Sequence, residues 1–94
     1  MFNKYSVYSQ NAQNFLHTCD DKILVDIHRL NNINEYDDVV KYVKEIWGDF
    51  EGERTFSYPN NVLVIIRNKE NCIEIGALKN NKQILGLGWK CEQS

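Results

Sequence analysis

The sequence predicts an α+β domain: two helices packed on a mostly antiparallel sheet that ends in a three-stranded meander. Three observations carry this. From Asn61 to Glu92 there are three apolar runs separated by short polar turns. Between Tyr36 and Trp47 the apolar residues instead recur at helical spacing. The chain has 94 residues, enough for a single core and thus one domain over 1–94.

Taken in order, Lys4–Tyr8 alternates, with Tyr5 and Val7 on one face, and reads as a short strand. Ser9 is placed to cap a helix through Gln10–Cys19. There Ala12, Phe15, Leu16 and Cys19 fall at i, i+3, i+4 and i+7. Asp20 and Asp21 break it. In Lys22–Leu30, Ile23, Val25 and Ile27 alternate with Leu24, Asp26 and His28, which predicts a strand.

A second helix follows, with Asn34 at its cap and Glu35, Asp37 and Asp38 near its first turn, where the helix dipole favours negative charge. Tyr36, Val39, Val40, Val43, Ile46 and Trp47 form its apolar stripe, and Gly48 supplies a stop. Residues 49–54 read as an acidic loop, Thr55–Tyr58 as a short strand, and Pro59-Asn60-Asn61 as a turn.

In the meander, Val62–Arg67 has the continuous apolar character of a strand buried on both faces. Ile73, Ile75 and Ala77 share one face of the next strand; Leu85, Leu87 and Trp89 share one face of the last. Asn80-Asn81 between them tolerates the positive φ of a tight hairpin. The twelve asparagines of the chain read as the codon usage of an AT-rich gene.

Composition, 43% hydrophobic and 26% charged, is that of an ordinary soluble protein, and no apolar run approaches the ~20 residues that span a bilayer. The first residues lack a secretory pattern, so the expected location is the cytosol. Three widely spaced cysteines, Cys19, Cys72 and Cys91, suggest reduced thiols and neither a disulfide framework nor a zinc site. No cofactor is expected.

Net charge is −2, unevenly spread. Residues 35–53 hold seven acids against two lysines; residues 54–94 hold six bases against three acids. A nucleic-acid partner would call for a basic excess, so stacking of single strands on the aromatic residues is disfavoured.

The chemistry-bearing residues each have a plainer reading. His17 beside Cys19 suggests an activated thiolate, but Cys19 fits the apolar stripe of its helix and His17 faces away from it. His17, His28 and Asp20 or Asp26 match no metal-ligand spacing. Gly86-Leu87-Gly88 lacks the following helix of a phosphate loop and reads as strand.

The mid-chain acids are the strongest functional signal. Asp49, Glu51 and Glu53 continue beyond the helix, where no dipole explains them, and Tyr36, Trp47, Phe50, Phe56 and Tyr58 are interleaved. Carboxylates beside rings suit a basic protein partner, with rings as anchors and charges steering encounter. The expected contact residues are Asp37, Asp38, Glu45, Asp49, Phe50, Glu51, Glu53 and Tyr58.

The segment NVLVIIRNKENCIEIGALKNNKQILGLGW is similar to the strand, Ile-x-Ile-Gly, hairpin and strand ending of some immunity proteins of bacterial polymorphic toxins, including contact-dependent growth inhibition systems. That resemblance implies a non-enzymatic inhibitor that binds the basic catalytic domain of a cognate toxin, often a nuclease. From charge and apolar run length no membrane or nucleic-acid partner is expected, and a monomer or weak dimer is expected. Alternatives are a phage-encoded inhibitor of a host defence enzyme, and a small hydrolase or nuclease using His17 and His28.

Overall fold

The computed structural model describes residues 2–10 and 12–91; Glu92 and the Cys91 thiol lie outside what is described. The order of elements is β1 (Phe2–Tyr8), α1 (Ala12–Thr18), α2 (Lys22–Leu30), α3 (Tyr36–Trp47), β2 (Gly52–Tyr58), β3 (Val62–Lys69), β4 (Cys72–Lys79) and β5 (Lys82–Cys91). The strands form one antiparallel sheet in the order β1-β5-β4-β3-β2. The fold is α+β, with three helices and five strands among the described residues.

Alternation decides which face of the sheet is covered. Val62, Val64 and Ile66 of β3, Ile73, Ile75 and Ala77 of β4, and Leu85, Leu87 and Trp89 of β5 are all buried on one face. Against them pack Leu16 of α1, Leu24, Ile27 and Leu30 of α2, and Val39 and Val43 of α3. Trp89 is fully enclosed, and its indole N–H donates to the Ile33 carbonyl at 3.2 Å, so the largest ring of the core leaves no buried donor unpaired.

The segment expected to be a strand at Lys22–Leu30 is a helix. Leu24, Ile27 and Leu30, three apart, are completely buried, whereas Ile23 and Val25 are only half-buried. A three-residue repeat serves a helix lying on a sheet. Val62–Arg67 is covered on one face only; Leu63 and Ile65 are half-buried on the other. At the start of α3 the cap position is Glu35 in place of Asn34, and no side chain caps it. Of the expected acidic loop, Gly52, Glu53 and Arg54 already belong to β2.

The asparagines have a structural use that codon usage does not convey. Asn60, Asn61, Asn71, Asn80 and Asn81 all carry φ between 53° and 68°. These are left-handed positions, which asparagine tolerates better than most residues. Asn80 and Asn81 fill both positions of the two-residue turn between β4 and β5. The Asn80 amide donates to the Asn61 carbonyl at 3.0 Å, and the Asn61 side-chain amide donates to Asn80 Oδ1 at 3.2 Å, so two turns clasp at one end of the sheet.

Asp21 ties the helical layer to that end. Its carboxylate accepts from Lys79 Nζ at 2.8 Å and from the Asn60 side chain at 3.0 Å. These hydrogen bonds hold its carboxyl below the usual carboxylate range.

On the open face one row runs straight across all five strands: Tyr5, Gly88, Glu74, Arg67 and Glu53 are successive register partners. The Tyr5 ring lies over Gly88, where a Cβ would fall inside it. Its hydroxyl donates to Glu74 Oε2 at 2.5 Å. Arg67 then bridges Glu74 at 3.4 Å and Glu53 at 3.1 Å.

Candidate partner-binding face

Helix α3 turns one side to the core through Val39 and Val43 and the other to solvent. On the solvent side Asp37, Asp38, Lys41 and Glu45 are exposed. The helix ends at Gly48, whose φ of +92° suits a residue without a side chain and whose amide donates to the Lys44 carbonyl at 3.0 Å. The chain then passes through exposed Asp49, buried Phe50 and exposed Glu51 before β2 begins.

Rings fix this loop from beneath. Phe50, 7% exposed, packs its ring 6.0 Å from Phe56, which lies 6.3 Å from Trp47. The Trp47 indole N–H donates to the Tyr58 hydroxyl at 2.7 Å. The Arg54 guanidinium sits 4.9 Å from the Phe50 ring centre, a cation–π contact. The Asn68 side-chain amide donates to the Phe50 carbonyl at 3.0 Å, tying the loop to the end of β3.

Of the eight residues expected at the contact, five are presented together on α3 and its following loop: Asp37, Asp38, Glu45, Asp49 and Glu51. The other three point elsewhere. Phe50 and Tyr58 are drawn inward by the ring cluster. Glu53 lies on the open face of the sheet, because strand alternation places it beside Arg67, away from Arg54 and the helices.

Among the described residues only Asp49 of the five enters an ion pair, with Lys44 at 3.9 Å, and both side chains are more than half exposed. Such a pair contributes at most about 1 kcal/mol. These carboxylates are thus free to meet an incoming cation.

Sequence reasoning missed Glu70 and Lys69. The end of β3 and the turn after it bring them to the rim of a cleft of about 440 Å³, whose other walls include Tyr36, Val40 and Lys44 of α3 and the loop of Asp49 and Glu51. The signal for them was the fully polar turn Asn68-Lys69-Glu70-Asn71; its position under α3 follows only from the topology.

His17 lies on α1 and His28 on α2, with Cys19 between the two helices. The Cys19 thiol donates to Asp21 at 3.5 Å, and burial pushes it up, which opposes thiolate formation. His28 Nδ1 is 2.9 Å from the Tyr8 hydroxyl, and His17 is exposed on α1. Among the described residues no group of three His, Cys, Asp or Glu is placed to hold a metal ion. No helix of the described residues is long and apolar enough to cross a membrane.

Fold and surface together define an α+β domain that presents an acidic helix and loop. Comparison of the chain with protein-family models, curated proteins and solved structures finds no match.

Proposed function

We propose that this protein is an immunity-type inhibitor that binds a basic protein domain, the catalytic domain of a cognate toxin, through the outer side of α3 and the loop after it. The observation that carries the reading is the exposure of Asp37, Asp38, Glu45, Asp49 and Glu51 along one continuous helix and loop. A nuclease must present cations to phosphate. An array of fixed carboxylates competes for the same cations and accelerates encounter by long-range attraction. The ring cluster supports the idea from within, since a loop held by Phe50, Phe56 and Trp47 loses little conformational freedom on binding.

The experiment uses the product of the neighbouring open reading frame as partner. Its affinity for this chain is titrated at low and high salt, with wild type and with Asp38→Lys/Glu45→Lys and Asp49→Lys/Glu51→Lys. The expected result is tight binding that weakens with salt and falls at least about tenfold in each double variant. Unchanged affinity at low salt in both would remove this face from the function.

A further inference from the structure

We infer that β1 is a dimerisation edge: two copies of the chain pair their first strands antiparallel about Ser6, joining two five-stranded sheets into one of ten.

The sheet has two outer edges, and they differ. At β2 the edge carries exposed Glu53 and Arg54, starts at Gly52 with φ of +100°, and is followed at once by Pro59. Charge and proline are common means by which proteins keep an edge from pairing. At β1 the only charge is Lys4, whose ammonium is turned onto the Asn31 carbonyl and Asn34 Oδ1 on the helix side. The strand contains no proline and its register on β5 has no bulge. Tyr5, 48% exposed, and Val7, 60% exposed, both stand on this edge strand.

Backbone direction follows from one bond. The Ser9 amide donates to the Ile84 carbonyl at 2.9 Å, continuing the register of β1 on β5. In a regular antiparallel ladder the backbone groups of Tyr5 and Val7 then point at β5, and those of Lys4, Ser6 and Tyr8 point outward.

The strand is complementary to itself. Centred on Ser6, an antiparallel pair sets Lys4 against Tyr8 of the second copy and Ser6 against its own twin, so outward groups meet outward groups. Tyr5 falls opposite Val7 of the second copy at a non-hydrogen-bonded site, where side chains are closest, and two-fold symmetry repeats the pair. The two Lys4 ammonium groups are kept apart at opposite ends. Centring on Lys4 would set like charges face to face, and centring on Tyr5 would leave Val7 against Asn3. The Tyr5 ring, held inward over Gly88 by its bond to Glu74, leaves the outer edge of β1 uncovered for the second copy.

The test uses the chain alone. Sedimentation and light scattering between about 1 μM and about 1 mM, where weak homodimers titrate, should show a reversible monomer–dimer equilibrium. Over the same range the amides of Lys4, Ser6 and Tyr8 should gain protection from hydrogen exchange while those of β2 do not. Val7→Lys, at a site too exposed to matter for folding, should weaken association at least about tenfold, and Thr55→Lys on β2 should leave it unchanged. A chain that stays monomeric throughout overturns the inference, and is the outcome expected if the edge is reserved for a strand of another protein. So does a dimer indifferent to Val7→Lys, or one that protects the amides of β2.

Discussion

The Tyr5 hydroxyl donates to the Glu74 carboxylate at 2.5 Å across the bare backbone of Gly88, which occupies the strand between them. Glycine is required there because the ring fills the place of a side chain. Gly88→Ala should therefore cost about 1–3 kcal/mol, the usual penalty of overpacking. In a Tyr5→Ala background the same change should cost markedly less. A double-mutant cycle by urea denaturation measures the difference, and simple additivity would show that the ring does not depend on the glycine.

The same contact sets a pH signature. Burial, followed by the hydrogen bond and charge of Glu74, pushes the Tyr5 phenol up from about 10 to about 12. Since the folded value lies above the unfolded one, the contribution to stability is complete below about pH 10 and is lost as pH rises towards 12. Ultraviolet difference titration against Tyr5→Phe should show the late ionisation. Glu74→Gln should return it only part of the way, because burial remains.

Asp21 gives the opposite dependence. Its carboxyl is held below the ordinary value, so its contribution is complete above the unfolded carboxylate range of about 4 and fades as pH falls through the folded value. Asp21→Ala should cost about 1.5–3 kcal/mol near neutrality, as loss of a charged hydrogen-bond acceptor does. Urea unfolding of the two proteins should converge as pH falls below about 4. A gap that stays constant in acid would assign the loss to packing.

The inward placement of the rings separates stability from binding. Tyr58→Phe removes the acceptor of the Trp47 indole and should cost about 1 kcal/mol, read by chemical denaturation. Partner affinity should stay within about twofold of wild type, too small a change to count as a lost anchor. A large fall in affinity with unchanged stability would return Tyr58 to the contact surface.

Turn chemistry is testable at Asn81, whose φ is +68°. Asn81→Ala should lower stability by about 1 kcal/mol, and Asn81→Gly should be neutral or stabilising. Thermal unfolding of the pair decides it; equal behaviour of both variants would show that the left-handed conformation is not the reason for asparagine.

These expectations indicate which parts of the molecule could be read without coordinates. The meander was legible because Ile73, Ile75 and Ala77, and then Leu85, Leu87 and Trp89, alternate without ambiguity. Helix α3 was legible because its stripe repeats over three turns. The α2 segment was not: Ile23, Val25 and Ile27 satisfy a two-residue period while Leu24, Ile27 and Leu30 satisfy a three-residue one. Only the need to cover a sheet already complete at five strands selects the second.

At the candidate site, exposure of the helix and loop acids could be anticipated, since charge prefers water. The direction of Phe50, Tyr58 and Glu53 could not. The run of acids and glycine at 49–54 carries no alternation to mark where β2 begins, and therefore which face each of its residues joins.

The sheet order has a consequence for how the chain is made. Of the five strands β1 is made first, yet among the described residues its neighbour in the sheet is the last, β5, and their pairing joins Phe2 to Cys91. Until β5 emerges, Tyr5 and Val7 wait on a nascent chain with no mate, although the β2–β4 hairpins can already close locally. Completion of the sheet therefore waits for β5, and the interval before it is when this molecule is most open to capture by chaperones or by a neighbouring copy on the same message.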